Sequence, residues 1–172
     1  VLSDRFDVSF LKRALSYNIA KPFPASTVLE PDLHAGRCWP MSGSSGHLGL
    51  QSMRTMRITN VTIGHISMAS SHDIRTAPRS IILWGLSDVA ATGQEMHCTS
   101  MSTLPMRVSL PAGTRMFPLA IINYDVHSSS NIQTFDVDSR FHEYEFKLTI
   151  LEVLSNWGMS DYTCLYSIRL HG

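Results

Sequence analysis

The chain ends in the stretch SNWGMSDYTCLYSIRLHG, residues 155–172, and this stretch guides the interpretation of everything before it. Within it, residues 163–170 (TCLYSIRL) alternate with a period of two, which predicts a β-strand. The side chains expected on its apolar face are Cys164, Tyr166, Ile168 and Leu170. Chain termini are usually loosely held. A terminus with large aromatic rings and a thiol is therefore expected to belong to the core, to a functional site, or to both.

Further strand patterns precede the terminal one and predict an all-β fold. The predicted strands are residues 56–66, 80–86, 117–126, 132–138 and 143–154. In the last of these, the alternation places Tyr144, Phe146, Leu148 and Ile150 on one face and favours a strand over a helix. Segments rich in Ser, Pro and Gly separate the strands. The pattern is typical of an antiparallel β-sandwich or jelly roll in a single domain.

The first part of the chain has a different character. Residues 4–24 contain apolar side chains at helical spacing, which predicts an amphipathic helix or a mobile arm that ends at Pro22 and Pro24. Residues 25–47 are rich in Pro, Gly and Ser and are predicted to form loops.

Composition limits the classes of function. Lys plus Arg and Asp plus Glu both number 14 in the 172 residues, so the basic excess of a nucleic-acid-binding protein is missing. A hydrophobic content of 44% indicates a folded globule rather than a disordered chain. No apolar run reaches the roughly 18–20 residues of a membrane span, and no signal peptide pattern is present. Because the chain begins with Val1, we expect it to be an excised domain.

No catalytic or metal-binding motif is found in the sequence. Its 8 histidines are scattered, without HxH or HxxxH spacing, and P-loop, GxGxxG and GxSxG motifs are missing. We therefore expect a protein that is not an enzyme. The cysteines at 38, 98 and 164 show no metal spacing either. Their spacing alone leaves two interpretations open, three reduced thiols or one disulfide with a free thiol.

Three blocks of the sequence are distinctive: NWGMSDYTCLYSIRLHG (156–172), EPDLHAGRCWPMSGSSGHLGL (30–50) and TAPRSIILWGL (76–86). Together they resemble the SUN domain, the luminal module of inner nuclear membrane proteins. The resemblance implies a galactose-binding-like β-sandwich that binds the C-terminal tail of KASH proteins in the perinuclear space, as a homotrimer. It also implies membership of the LINC complex, which bridges the two nuclear membranes and couples the nucleus to the cytoskeleton.

The resemblance also implies roles for individual residues. The residues implied to bind the terminal carboxylate and the prolines of the peptide tail are His65, Thr76, Tyr162 and Tyr166. Gly46 is implied to lie in a turn beside the pocket. Tyrosine suits both tasks because it offers an O–H donor and an aromatic face. A disulfide is implied between Cys38 and Cys164, which would persist in an oxidising lumen. Cys98 has no matching partner and is expected to be a free thiol.

A loop that binds a monovalent cation, K⁺ or Na⁺, through backbone carbonyls is a further implication. The matching positions are Thr27, Glu30, Asp32, Arg37 and Tyr166. Arg37 departs from the family pattern, in which a small amide is common. The alternative is a loop clamped by the disulfide without an ion.

Residues 1–24 correspond to the family's KASH lid, a hairpin that pairs with the peptide, and residues 25–172 to the SUN sandwich. We expect the lid to be helical or mobile when free and strand-like when bound. Asn60-Val61-Thr62 is a glycosylation sequon, although its position in a predicted strand favours an unmodified asparagine.

Two alternatives share the predicted architecture. One is a galactose-binding-like module that holds a glycan at its loop ends. The other is a SUN-like protein of the endoplasmic reticulum that binds another luminal protein and no KASH tail.

Overall fold

The computed structural model describes residues 22–88 and 114–172. Most of the predicted lid segment, and Cys98, therefore lie outside the described residues. Four short 3-10 helices occur in the described part, and no α-helix does. They are Ala25–Leu29, Met68–Ser70, Ile74–Thr76 and Ser139–Phe141. No helix with the length and hydropathy of a membrane span is found in these two ranges.

Strands make up the rest of the regular structure, and every pair of neighbours is antiparallel. In chain order they are β1 (Trp39–Ser42), β2 (Gly46–Arg57), β3 (Asn60–Gly64), β4 (Pro78–Asp88), β5 (Thr114–Asn123), β6 (Ile132–Asp136), β7 (Glu145–Asn156), β8 (Tyr162–Leu165) and β9 (Ser167–His171). They form a four-stranded sheet of order β2-β7-β4-β5, a three-stranded sheet of order β6-β3-β9, and the pair β1-β8. The predicted all-β sandwich is confirmed.

The main hydrophobic core lies between the four-stranded and three-stranded sheets. Both sheets contribute to it through alternate residues, as the pleat of a strand requires. Fully buried examples are Leu48, Leu83, Leu119 and Leu151 from the larger sheet and Val61 from the smaller one. Removing one such leucine to alanine typically costs about 2–5 kcal/mol. This core fixes the two sheets against each other and thereby the loops at their ends.

The prediction that Tyr144, Phe146, Leu148 and Ile150 share one face of β7 is wrong. Phe146 lies in the main core, whereas Ile150 packs with Trp84 and its neighbours on the opposite face of the sheet, and Leu148 is 39% exposed. The pairing of β2 with β7 shifts between Gln51 and Met56, opposite this part of β7. Beyond this point the core-facing residues of β7 are Thr149, Leu151 and Val153.

The prediction of one continuous terminal strand is also wrong. The strand stops at Leu165 and resumes at Ser167, so that β8 pairs with β1 while β9 pairs with β3. Leu165 and Ile168 both enter the main core, whereas Cys164 and Tyr166 pack in a separate cluster. The change of sheet at Tyr166 therefore reverses which side of the chain faces the core.

Candidate functional site

The disulfide holds the start of β1 against β8. Pro40 pairs with Cys164 and Trp39 with Leu165, which brings the Cα atoms of Cys38 and Cys164 to 5.5 Å. This separation is typical of disulfides, and the structure joins the two cysteines. The pairing is the one that the resemblance implies.

The loop that precedes Cys38 is bonded to the final strand at several points. Ser167 Oγ donates to the Glu30 carbonyl at 3.4 Å, and the Arg169 guanidinium donates to the Pro31 carbonyl at 2.6 Å. Near the end of the loop, the Gly36 N–H donates to the Tyr166 hydroxyl at 3.3 Å. Gly36 has φ +79°, a conformation that glycine adopts without steric cost. The loop is therefore fixed to β9 before it reaches the disulfide.

A small cluster, which we call the terminal cluster, forms where the loop meets the last two strands. Its buried members are Cys38, Ile66, Cys164 and Tyr166, and Leu33 and Tyr162 pack against them half-buried. The cluster is separate from the main core. Tyr162 and Tyr166 flank Cys164 in sequence, so the disulfide joins the chain between the two tyrosines.

His65 lies against the terminal cluster with its ring almost fully buried, at 1% exposure. Its ring and the Tyr166 ring pack edge to face, with centroids 4.6 Å apart. Nδ1 is 3.0 Å from the Ile66 carbonyl, which can only accept, so Nδ1 donates. Nε2 is buried and has no partner in the described part of the molecule. Buried polar atoms are normally hydrogen-bonded, so Nε2 has an unused hydrogen-bonding position that a ligand could fill.

Asn131 holds the backbone of His65 from both sides. Its carbonyl accepts from the His65 N–H at 3.0 Å, and its side-chain amide donates to the His65 carbonyl. The same Asn131 carbonyl accepts from the hydroxyl of Tyr124, a buried residue whose ring centroid lies 6.5 Å from that of His65. Asn131 and Tyr124 were not predicted as site residues. Nothing in their local sequence indicates the role, because the contacts bridge 66 and 59 positions.

Electrostatics keep the aromatic residues of the site neutral at physiological pH. Burial lowers the pKa of His65 below its usual value, although the hydrogen bond to Ile66 opposes this shift. Burial raises the pKa of Tyr162 and of Tyr166, and it raises the pKa of Tyr124 to about 12. The tyrosine hydroxyls therefore retain their protons. Tyr166 O–H accepts from Gly36 and still has its own proton to donate.

Thr76 lies next to this group, at the end of the 3-10 helix Ile74–Thr76, which contacts β8. Its hydroxyl is buried and donates to the Asp73 carbonyl at 2.9 Å. The Asp73 carboxylate binds the Arg75 guanidinium in a two-pronged ion pair, with N–O distances of 2.9 and 2.6 Å. Arg75 lowers the pKa of Asp73 and balances its charge beside the site.

The structure brings some of the predicted residues together and separates others. His65 and Tyr166 are in contact, and Tyr162 packs in the same cluster. Gly46 begins β2, and the space beside its Cα is filled by the Met41 side chain rather than by the cluster. Gly46 therefore lies at the strand start with the Met41 side chain as its nearest neighbour.

The predicted cation positions lie along the same loop. The Thr27 carbonyl accepts from the Glu30 N–H at 3.1 Å, and the Arg37 guanidinium forms an ion pair with the Glu30 carboxylate at 2.7 Å. The charge of Arg37 is thus paired within the loop. Asp32 is exposed. Across residues 22–88 and 114–172, no group of three or more His, Cys, Asp or Glu side chains could hold a metal ion, so any ion here would depend on carbonyl oxygens.

Comparison with solved structures defines the class of the fold. The chain superposes on the family 32 carbohydrate-binding module of Streptococcus pneumoniae EndoD with a TM-score of 0.58 and 9% identity, covering 90% of this chain and 89% of that one. An F5/8 type C domain from Bacteroides fragilis matches with a TM-score of 0.53 and 11% identity, over 85% and 78% of the two chains. At such low identity the likeness establishes the galactose-binding-like sandwich and nothing about ligands.

Sequence comparison then identifies the family. The Sad1/UNC-like C-terminal family model matches residues 20–104 and 108–172. SUN domain-containing protein 3 from Bos taurus is 34% identical over 153 residues, and the protein of that name from Mus musculus is 30% identical over 151 residues. Each alignment covers 87% of this chain, but only 35% of the Bos taurus protein and 40% of the Mus musculus protein. The chain belongs to the Sad1/UNC-like C-terminal family, the SUN domains, and spans well under half the length of these relatives.

Proposed function

We propose that this domain binds the C-terminal tail of a KASH protein and captures its terminal carboxylate at the terminal cluster. The observation that supports this proposal best is the buried Nε2 atom of His65, which has no partner among residues 22–88 and 114–172 and whose ring lies beside Tyr166. A carboxylate accepts several hydrogen bonds and requires directed donors. The Tyr166 hydroxyl has a proton to donate, and the Tyr162 hydroxyl has no hydrogen bond within the described residues.

The surroundings of the cluster suit a proline-rich tail. Tyr162 is only half-buried in the terminal cluster, whereas Tyr166 is buried, so a proline ring would pack against the exposed part of Tyr162. Thr76, at the adjacent 3-10 helix, would add a hydroxyl once it releases the Asp73 carbonyl. Residues 1–24 would act as the lid that pairs with the peptide as an added strand.

The cellular setting follows from the same proposal. A disulfide between Cys38 and Cys164 suits an oxidising compartment such as the perinuclear space, which is continuous with the lumen of the endoplasmic reticulum. In that setting, three copies would assemble, hold three KASH tails between neighbours, and connect the inner and outer nuclear membranes. The role is binding and force transmission rather than catalysis.

A monovalent cation is part of the proposal. The backbone carbonyls of Thr27, Glu30, Asp32, Arg37 and Tyr166 would hold K⁺ or Na⁺, and the ion would stiffen the loop that donates to Tyr166. The paired charge of Arg37 is compatible with such an ion. Replacing KCl and NaCl with choline chloride at equal ionic strength should lower the melting temperature, and an unchanged value would argue for the loop without an ion.

Calorimetry tests the main proposal. Residues 1–172, fused to a trimeric coiled coil, are titrated with a KASH tail that has a free carboxylate and with its amidated twin. We expect binding only to the free acid. Equal binding of both peptides would contradict carboxylate capture, and no binding of either would favour a SUN-like or glycan-binding module.

A further inference from the structure

Asn60 stands out because it is the only asparagine in the sequence followed two positions later by Ser or Thr. Asn60, Val61 and Thr62 form the N-x-Thr sequon of N-linked glycosylation. Any N-linked glycan on this chain must therefore be attached at Asn60. The peptide site proposed above does not use these residues.

The structure places Asn60 where an attached sugar has room. Asn60 is the first residue of β3 and stands between Asp136 of β6 and His171 of β9, both of which are exposed. Val61 and Ile63 point into the main core, so Asn60 lies on the outer face of the sheet. Its side-chain amide donates to the Asp136 carboxylate at 2.6 Å at the surface. The strand position thus leaves the amide accessible from outside.

We propose that Asn60 is N-glycosylated in the lumen of the endoplasmic reticulum before the domain folds. The inference rests on the luminal location in the proposed function. The co-reactant is an oligosaccharide linked through pyrophosphate to a lipid. The Asn60 Nδ2 atom forms a bond to C1 of the first sugar, the C1–O bond breaks, and the lipid pyrophosphate leaves with that electron pair. Nδ2 loses one proton and retains one, which still donates to Asp136.

The timing follows from Thr62, whose hydroxyl belongs to the sequon. In the folded domain this residue is 6% exposed, and its Oγ1 atom is 2.8 Å from Thr134 Oγ1 and 2.7 Å from His171 Nε2. β3 is the central strand of its sheet, with neighbours on both sides. A transferase that must bind an extended Asn-x-Thr segment cannot reach this strand without unfolding the sheet. Modification therefore precedes the pairing of β3 with β9, the last strand to be synthesised.

The glycan would lie away from the peptide site. Asn60 is the first residue of β3 and His65 follows its last residue, Gly64, so the two lie roughly 16 Å apart along the chain at about 3.3 Å per residue. The glycosylated domain should therefore bind the same tail as the unmodified one. The outer face around Asn60, Asp136 and His171 must also stay outside any interface between copies of the chain.

The test is intact mass and peptide mapping of the full chain, directed into the endoplasmic reticulum of cultured cells by a signal sequence. We expect one glycan, removed by peptide N-glycosidase with conversion of Asn60 to aspartate. N60Q and T62V should abolish it, whereas T62S, which preserves the sequon, should retain it. These readouts do not require a folded variant, because the modification precedes folding.

Two results would overturn the inference. One is an unmodified Asn60 in the luminal chain. The other is efficient modification of purified, disulfide-bonded chain by microsomes, which would contradict the order of events. The proposed peptide binding is tested separately, by calorimetry on unglycosylated chain from bacteria, so that failure of one proposal is distinguishable from failure of the other.

Discussion

His65 donates its Nδ1 proton to the carbonyl of Ile66 at 3.0 Å, and this bond determines the state of the other ring nitrogen. With burial lowering its pKa, the imidazole is neutral at pH 7, so Nε2 presents a lone pair rather than a proton. A carboxylate beside that lone pair would be repelled. Binding of a terminal carboxylate at Nε2 must therefore be accompanied by uptake of one proton, which converts the ring to a two-donor imidazolium.

The first prediction is that affinity for the free-acid tail rises as pH falls. The free domain has a neutral His65 and the complex a charged one, so affinity should increase by up to about tenfold per pH unit between the two pKa values. Calorimetry at pH 7 in two buffers of different ionisation enthalpy measures the proton uptake directly, and H65Q is the control with no titratable ring. An uptake of zero protons would show that Nε2 does not meet the carboxylate.

The second prediction concerns the stability of the free domain, which should fall with decreasing pH, whereas the affinity for the peptide rises. Because the folded pKa of His65 is lowered, the unfolded chain binds more protons as pH falls through about 6.5. Stability should therefore decrease in that range, and the decrease should be smaller in H65Q. Urea unfolding at pH 7.5, 6.5 and 5.5 measures the difference between the two proteins. Parallel pH profiles would mean that His65 is not the group responsible.

The third prediction separates the two tyrosines of the site. Y166F removes the acceptor of the Gly36 N–H and should lower the free energy of unfolding by about 1 kcal/mol. Y162F breaks no hydrogen bond within the described residues and should change it by less than about 0.5 kcal/mol. Both should weaken binding of the free-acid tail, by roughly tenfold or more if each hydroxyl donates to a charged group. Unchanged affinity in Y162F would remove that hydroxyl from the site.

Some features of the fold could be predicted from the sequence because they depend on the local pattern of apolar residues. Five predicted strands overlap β3 to β7, since their alternating or continuous apolar residues form the main core. β1 and most of β2 were missed. Gly49 and the exposed polar residues near Gln51 resemble a loop. Among the described strands, however, β2 lies at the edge of its sheet, pairs with β7 alone and tolerates polar side chains.

The site could be predicted from the sequence only in part, and for a different reason. Tyr162 and Tyr166 were selected by resemblance, and their proximity to His65 depends on the change of sheet at Tyr166, which no periodicity reveals. Asn131 bonds to His65, 66 positions away, and the Gly36 N–H bonds to Tyr166, 130 positions away, so local sequence gives no signal of either contact. Long-range contacts of this kind are determined by topology rather than by local sequence.

The fourth prediction compares two glycines. A Cβ at Gly85 would lie 2.6 Å from two carbons of the buried Phe146 ring, so G85A should destabilise the domain by about 1–3 kcal/mol. The atoms nearest to a Cβ at Gly46 would belong to the flexible Met41 side chain, whose sulfur is 2.7 Å away and can move aside. G46A should therefore cost less than G85A. Thermal unfolding of both variants shows which one loses more stability. A larger loss in G46A than in G85A would contradict the packing around β4.

The fifth prediction concerns the disulfide, which joins cysteines 126 positions apart and lies beside both tyrosines of the site. A C38S/C164S variant should lose roughly 2–5 kcal/mol of stability, because the unfolded chain regains the freedom of a long loop. The bonds from Ser167 and Arg169 should still hold the loop, so the sandwich should fold while peptide binding weakens. Both proteins are compared in a C98S background, so that no third thiol exchanges with the pair. Guanidinium unfolding and calorimetry provide the two readouts. Lowered stability with unchanged affinity would show that the disulfide supports the fold alone and does not position Tyr162 and Tyr166.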